Sequence, residues 1–515
     1  MLRFLGVSTL LVLSMTAASA QTDYLARARA LHKQALLIDG HNDYPWALRE
    51  KDPARDLNTL DIAKPQPSIM TDIARLKSGG VGGQFWSVYV PVTLQGQSAV
   101  TATLEQIDIV HRMVRKYPET LELALTAADI ERVHKSGKIA SLVGMEGGHS
   151  IDNSLANLRM FYKLGARYMT ITHSTNTPWA DASTDTPKAG GLSPFGEEVI
   201  KEMNWLGMLV DLSHVAPETM EDALRVTQAP VIFSHSVARA LNDHPRNVPD
   251  NVLKMLPKNG GVIMVTFVPG FLSPKVNAWN KLQTAEQDRL KGLTPNDAAA
   301  IKAGVDKWSA ANPVPAATIA DVADHVDHIR KVAGIDAIGI GSDFDGISQT
   351  VKDLDNVSTY PLLTAELLRR GYTDADLRKI LGLNVLRAMR GAEAVSARLQ
   401  KERGPSVAVI GAAASGTGSG ADRLLDAIAA SDVAAVRALL AAGADAKAAD
   451  DDRVTLVMRA AEIGHAETVR LLLTAGADPA ARDRHGRNAA DRARDGLASG
   501  APRDFALILR LLTDE

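Results

Sequence analysis

Six short apolar runs end on side chains that can bind a metal ion or move a proton. Leu36-Leu-Ile-Asp-Gly runs into His41 and Asp43, Ile139-Ala-Ser-Leu-Val-Gly-Met into Glu146, and Tyr168-Met-Thr-Ile-Thr into His173. Met208-Leu-Val-Asp-Leu-Ser runs into His214, Val231-Ile-Phe-Ser into His235, and Ala337-Ile-Gly-Ile-Gly-Ser into Asp343. The sequence has no cysteine, so a thiolate site and a disulfide framework are both excluded. Any metal must use imidazole and carboxylate, a donor set that suits zinc, with manganese or iron as weaker fits. His41 and Asp43 stand two residues apart, on one side of an extended strand, and can face one ion. Glu146 has two oxygens and can bridge two ions, and His214 and His235 can complete the second. Three protein ligands per ion leave room for water, as a catalytic site requires.

A single His-x-Asp pair occurs by chance in many chains; the joint pattern over six strand ends carries the reading. That pattern needs elements that bring the strand ends together. Eight runs read as buried strands: Leu36–Asp39, Val81–Val90, Ile139–Met145, Tyr168–Thr172, Met208–Leu212, Val231–Ser234, Gly261–Phe267 and Ala337–Gly341. Helix-length segments separate them, among them Leu104–Lys116, Gly196–Asn204, Pro217–Val226 and Ile319–Ala333. Alternating strands and helices imply a parallel sheet. Eight units over this length fit an α/β (β/α)8 barrel of the TIM type, whose strands open their carboxyl ends onto one mouth. A doubly wound open sheet is the alternative, but no Gly-rich phosphate loop marks its first turn. His32, His111, His134, His325 and His328 fall in helix-like segments, where packing or solvation accounts for them. His149 and His244 lie near the cluster but are not assigned as ligands.

The chain has 515 residues, 57 basic against 60 acidic, and a net charge of -3. That balance argues against a nucleic-acid partner. Residues 1–20 have Arg3, an apolar run and Ala18-Ser19-Ala20, which reads as a signal peptide cleaved before Gln21. The expectation is an exported chain, periplasmic or secreted, with no membrane span after cleavage. Residues 21–400 hold the barrel, and 401–420, with Gly411-Ala-Ala-Ala-Ser-Gly-Thr-Gly-Ser-Gly420, read as a flexible linker. In 421–515, Val436-Arg-Ala-Leu-Leu-Ala-Ala-Gly-Ala-Asp445 recurs 33 residues later as Val469-Arg-Leu-Leu-Leu-Thr-Ala-Gly-Ala-Asp478. That period and the Gly-Ala-Asp ending resemble ankyrin repeats, with a degenerate third unit from about His485-Gly486. Such a small all-α domain implies a protein partner, whose identity the sequence leaves open.

The strings Asp39-Gly-His-Asn-Asp43, Gly144-Met-Glu-Gly-Gly-His-Ser150, Thr172-His-Ser-Thr-Asn-Thr-Pro-Trp-Ala-Asp181, Val210-Asp-Leu-Ser-His214, Phe233-Ser-His-Ser236, Arg246-Asn-Val-Pro-Asp250 and Gly341-Ser-Asp-Phe-Asp-Gly346 resemble the renal (membrane) dipeptidase family. The resemblance covers residues 24–395 in order. It implies an exported binuclear zinc dipeptidase with two Zn2+ per chain, acting on L,L and some L,D dipeptides through a hydroxide that bridges the metals. By it, His41, Asp43 and Glu146 hold one zinc, and Glu146, His214 and His235 the other. His173 contacts substrate, Arg246 clamps the free carboxylate of the substrate, and Asp343 manages protons. The implied partners are dipeptide substrates and a second copy of the chain in a homodimer. The chain departs from the family pattern in the helical stretch from Asn277 to Asn312 and in the tail. Phe271 stands where some relatives carry a carboxylate-binding Tyr, which leaves Arg246 more alone. Two rival readings remain. Other amidohydrolase-type barrels usually begin with His-x-His and often bridge with a carbamylated Lys, unlike His-x-Asp and Glu146 here. An ankyrin interaction protein with an inactive barrel sits poorly with an intact ligand set.

Overall fold

The computed structural model describes residues 23–295, 297–410, 420–429, 431–450, 452–498 and 504–513. The expected signal peptide and residues 411–419 of the expected linker lie outside them. The described residues separate into two units. The larger runs to Pro405, apart from segments 153–155 and 193–198, and the smaller is built around Ser406–Glu515.

The larger unit is a parallel barrel. Its strands are β1 (Leu37–Asn42), β2 (Val81–Ser87), β3 (Leu121–Leu123), β4 (Ile139–Glu146), β5 (Ala166–Thr170), β6 (Leu209–Asp211), β7 (Ile232–Ser236), β8 (Val262–Val265) and β9 (Ile338–Ile340). Neighbours run β2-β1-β9-β8-β7-β6-β5-β4, and a parallel β2–β4 pairing closes the ring at eight strands. All eight expected strands are present. The three-residue β3, which sequence reading missed, pairs with the start of β4 outside that ring. It is too short to show a pattern of its own. Each of the eight barrel strands is a continuous buried run, as parallel strands covered on both faces must be.

Helices cover the outside. The expected Pro217–Val226 and Ile319–Ala333 appear with those bounds, while Gln97–Lys116 starts seven residues earlier than expected and Pro194–Leu206 extends two residues further at each end. Side chains set their starts. Asp321 accepts from Thr318 N at 2.7 Å, and Thr126 Oγ1 accepts from Asp129 N at 3.0 Å. The strand side chains Ile38, Phe85, Leu142, Leu209, Ile232 and Val262 share one core cluster with Ile130, Val133, Val385, Leu386 and Met389 of two helices. The Asn277–Asn312 stretch folds as two helices, Pro274–Leu293 and Ala298–Ala311, joined by Trp279 against Trp308 at 5.5 Å between ring centroids.

The smaller unit stacks three helix pairs, Gly420–Ala429 with Val433–Ala441, Leu456–Glu462 with Ala466–Thr474, and Ala489–Ala498 with Phe505–Thr513. Leu424, Ile428, Val436, Val457, Val469, Leu472, Ala493 and Phe505 share one core, so each pair buries its apolar face on the next. Among the described residues, no helix is long and apolar enough to cross a membrane.

One glycine links the barrel wall to its mouth. A Cβ at Gly144 of β4 would stand 2.2 Å from Cζ of the fully buried Tyr168. Gly144→Ala must push that ring aside, so it is expected to lower the unfolding free energy by about 1–3 kcal/mol. Urea unfolding with an unchanged midpoint would mean that the wall yields at no cost.

Candidate metal centre

The strand ends deliver their side chains to one place. His41 lies within β1, Glu146 is the last residue of β4, and His235 lies within β7. His173, His214 and Asp343 each stand three residues beyond the ends of β5, β6 and β9, in the loops of the mouth. His214 and Asp343 have positive backbone φ of 72° and 67°. Non-glycine residues pay for that conformation, which persists only where the surroundings impose it.

Glu146 is the centre. Its Oε2 faces His41 Nε2 at 3.5 Å, and His41 Nε2 lies 3.3 Å from Asp43 Oδ2. Its Oε1 faces His214 Nε2 at 3.0 Å and His235 Nε2 at 3.6 Å, and those two nitrogens are 3.0 Å apart. Ligand atoms of His41, Glu146 and His235 lie within 4.8 Å of one another, as do those of Glu146, His173 and His214, and those of His41, Asp43 and Asp343. His41 Nε2 and His214 Nδ1 are buried without a hydrogen bond. A buried, unpartnered imidazole nitrogen among carboxylates is the arrangement a divalent metal satisfies, so the residues fit such ions.

The groups' protonation follows from burial and from one another. Burial opposes a proton on His41, but the Tyr168 hydroxyl and the Asp43 and Glu146 carboxylates outweigh it and hold His41 well above the usual histidine range. Burial pushes His214 and His235 well below that range, and Arg246 contributes to both depressions. Burial also depresses His173, with Glu146 opposing. For Glu146, burial favours the proton, yet His41, His214 and His173 together hold the carboxyl well below its ordinary value. Asp343 goes the other way. Burial raises it well above its ordinary value, against the pull of His41, and Asp43 and Glu146 add to the rise.

Arg246 sits in the turn after β7 and is only 4% exposed. Its Nη1 and Nη2 have no hydrogen-bond partner. Burial pushes its pKa down to about 10, with Asp343 and Glu146 opposing, so it stays charged at neutral pH. Its guanidinium carbon lies 5.2 Å from the Phe271 ring centroid, so that ring stacks on the cation. His173 rests on two rings, His214 at 4.3 Å and Tyr89 at 4.9 Å between centroids, and Trp46 packs edge-on against Tyr89.

The remaining histidines are placed as packing groups. His32 bonds Gly79 O and Thr364 Oγ1, His325 bonds Leu272 O, and His149 bonds Val90 O. Sequence reasoning missed the residues behind the ligands. Asp39 accepts from Gln84 Nε2, from Ser342 N and Oγ, and from Tyr360 Oη, which ties β1 to the loop carrying Asp343. Tyr168 Oη lies 2.9 Å from His41 Nδ1 and turns the ring's Nε2 toward Glu146. The positions of Asp39, two residues before His41, and Asp211, three before His214, were the available signal.

A closed parallel barrel with imidazoles and carboxylates at its mouth is the architecture of a metal-dependent hydrolase. A family model described as membrane dipeptidase (peptidase family M19) matches residues 25–403, and an ankyrin-repeat model matches residues 452–484. A dipeptidase of Clonostachys rogersoniana is 41% identical over 391 residues, 74% of this chain and 90% of that one. Dipeptidase 3 of Mus musculus is 42% identical over 376 residues, 72% of this chain and 67% of that one. The crystal structure of a probable dipeptidase from Pseudomonas aeruginosa superposes with a TM-score of 0.63 at 25% identity, covering 73% of this chain and 99% of that one. A metallo peptidase from Rhodobacter sphaeroides, solved with a phosphinate mimic of L-Ala-D-Ala, has a TM-score of 0.59 at 23% identity over 70% of this chain and 99% of that one. The chain belongs to the membrane dipeptidase family of metallopeptidases, and it carries an ankyrin repeat beyond the barrel.

The protonation pattern generates a test. In the metal-free protein His41 is held well above the usual histidine range and Asp343 well above the usual carboxylate range, while burial favours the neutral rings of His214 and His235. Metal needs a free lone pair on each ligand, so binding near neutral pH is expected to release protons, and fewer as pH rises through the elevated His41 range. Calorimetric titration in two buffers of different ionisation enthalpy measures this. Proton release that stays flat with pH would contradict the assignment to His41.

Proposed function

We propose that this chain is an exported binuclear zinc dipeptidase that cleaves dipeptides with a free C-terminal carboxylate, L,L and L,D alike. The observation that carries the reading is the split of Glu146, whose Oε2 faces His41 and whose Oε1 faces His214 and His235. His41, Asp43 and Glu146 would hold one zinc, and Glu146, His214 and His235 the other. When bound, the two ions supply a Lewis acid for the scissile carbonyl and lower the pKa of the attacking water.

The chain's own residues do the rest. His173 is kept neutral by burial, and its Nε2 points inward, 3.8 Å from Glu146 Oε1. A neutral imidazole with a proton on that nitrogen donates to the oxygen that gains charge as the carbonyl is attacked. Asp343 lies beside His41 and Asp43, takes a proton from the attacking water, and passes it to the leaving amine. Burial has already raised its proton affinity, as a group that must both accept and return a proton requires. Arg246 offers two unpartnered guanidinium nitrogens to a planar carboxylate, a bidentate pairing stronger than a neutral contact. A clamp on the terminal carboxylate this near the scissile bond excludes longer peptides. Export rests on the signal-like residues 1–20, and the tail's helix stack offers a surface for a protein partner.

The first test is turnover. The purified chain loaded with zinc is expected to hydrolyse Ala-Ala and Ala-D-Ala, and Asp343→Asn is expected to keep its zinc while kcat falls about 10²–10⁴-fold. An unchanged kcat would move proton transfer to another group, with His173 the next suspect. Arg246→Ala is expected to raise KM for free dipeptides strongly and for their C-terminal amides little, because only the free acid carries the charge that Arg246 pairs. Equal losses on acid and amide would make Arg246 a structural residue.

A further inference from the structure

We propose that Asp211 and Ser234 act as a positioning pair, in which the serine hydroxyl fixes the tautomer of His235 and thereby aims its Nε2 lone pair at the second metal. This rests on the reading above that His235 is a metal ligand. The hydrogen-bond inventory dictates the direction. Asp211 Oδ2 lies 2.6 Å from Ser234 Oγ and 2.5 Å from Thr170 Oγ1, and Oδ1 accepts from Ser234 N at 2.7 Å and Ser213 N at 3.1 Å. A carboxylate only accepts, so the single proton of Ser234 Oγ points at Asp211. The same oxygen lies 2.8 Å from His235 Nδ1. With its proton committed, the hydroxyl can only accept there, so Nδ1 must carry the ring proton. A neutral imidazole protonated at Nδ1 has its lone pair on Nε2, which faces Glu146 Oε1 and His214 Nε2.

The pair is sealed from water. Asp211, Ser213 and Ser234 are fully buried, and His235 is 1% exposed, so no solvent molecule can stand in for a lost hydroxyl. The backbone is held as well, since His235 N donates to Ser213 Oγ at 3.0 Å. One carboxylate thus fixes β5, β6 and β7 at the level where two ligands leave the barrel. The first site uses a weaker version. His41 Nδ1 meets Tyr168 Oη, but that hydroxyl passes its proton to the neutral carbonyl of Gly40 at 3.1 Å. His214 has no such device, because its Nδ1 is unpartnered. Second-layer groups of this kind commonly change metal affinity about 10–100-fold.

The test reads tautomer and metal affinity separately from activity. In ¹⁵N-histidine spectra of the metal-free wild-type chain, with His235 assigned by its loss in His235→Ala, the His235 signals are expected to report Nδ1–H. Zinc titration against a competing chelator is expected to give two sites in wild type and in Ser234→Thr, which keeps the hydroxyl. Ser234→Ala is expected to keep one site unchanged and weaken the other by about 10–100-fold, with His235 moving toward Nε2–H. The melting temperature of each metal-free variant reports whether the barrel is intact. Two wild-type-like zinc sites in His235→Ala would overturn the ligand reading itself. Loss of one site in His235→Ala, with both sites and Nδ1–H retained in Ser234→Ala, would overturn the relay and leave the ligand reading standing. Should Ser234→Ala not fold, Nε2–H in the wild-type spectrum alone overturns the relay.

Discussion

Glu146 is the constraint on which the mouth depends. A carboxylate buried among four imidazoles is stable only if its charge is met on both oxygens. Here Oε2 is met from the β1 side and Oε1 from the β6 and β7 side, with Ser87 Oγ also at 3.4 Å from Oε2. No shorter reach would serve both sides. Glu146 must end its strand, and the strands bearing its partners must stand around the ring at the same height. The parallel barrel supplies that geometry, since β4 neighbours β2 and β5 while β1 and β7 close in from across the mouth.

Holding the partners at that height takes buried polar groups, and buried polar groups are tolerable only when satisfied. Asp39 and Asp211 meet this demand in parallel ways. Each is fully buried, each receives at least four hydrogen bonds, and each precedes a histidine of the mouth by two or three residues. Asp39 joins β1 to the Ser342 loop and so couples His41 and Asp43 to Asp343. Asp211 joins β6 to β5 and β7 and so couples His214 to His235. The two groups of side chains are therefore positioned by separate carboxylates, and they meet at Glu146 and where the His41 ring lies 4.1 Å from that of His235.

Much of this was legible in the chain because candidate ligands at strand ends leave a one-dimensional trace. His41, Asp43, Glu146, His214, His235, His173 and Asp343 each follow an apolar run, and the structure brings all seven together. Arg246 was legible only through the family resemblance, since no run of apolar residues leads to it. The supporting layer left no such trace. Ser234 and Asp211 read as ordinary polar interruptions of a strand, and their meaning depends on which strands become neighbours. Tyr168 read as a strand residue, and only the absent side chain at Gly144 lets its ring reach His41. The Phe271 stack on Arg246 depends on a loop packing that no local pattern encodes. β3 escaped because three residues are too few for a period.

Several departures from local structural rules lie at the mouth. Positive φ occurs at His214, Asp343 and Asp345, and a Cβ at Gly346 would stand 2.3 Å from Asp43 Oδ2 and 2.6 Å from Asp343 Oδ1. The unpartnered nitrogens of His41, His214 and Arg246 lie there too. None of these features helps the barrel fold, and each raises the free energy of the metal-free chain. A cation between His41 and Glu146 would satisfy His41 Nε2, and an anion would satisfy the Arg246 guanidinium. The wall below is a covered parallel sheet whose long strands are buried along their whole length. A barrel with eight mutually paired strands can hold such a mouth because no single strand end can relax without breaking register with two neighbours.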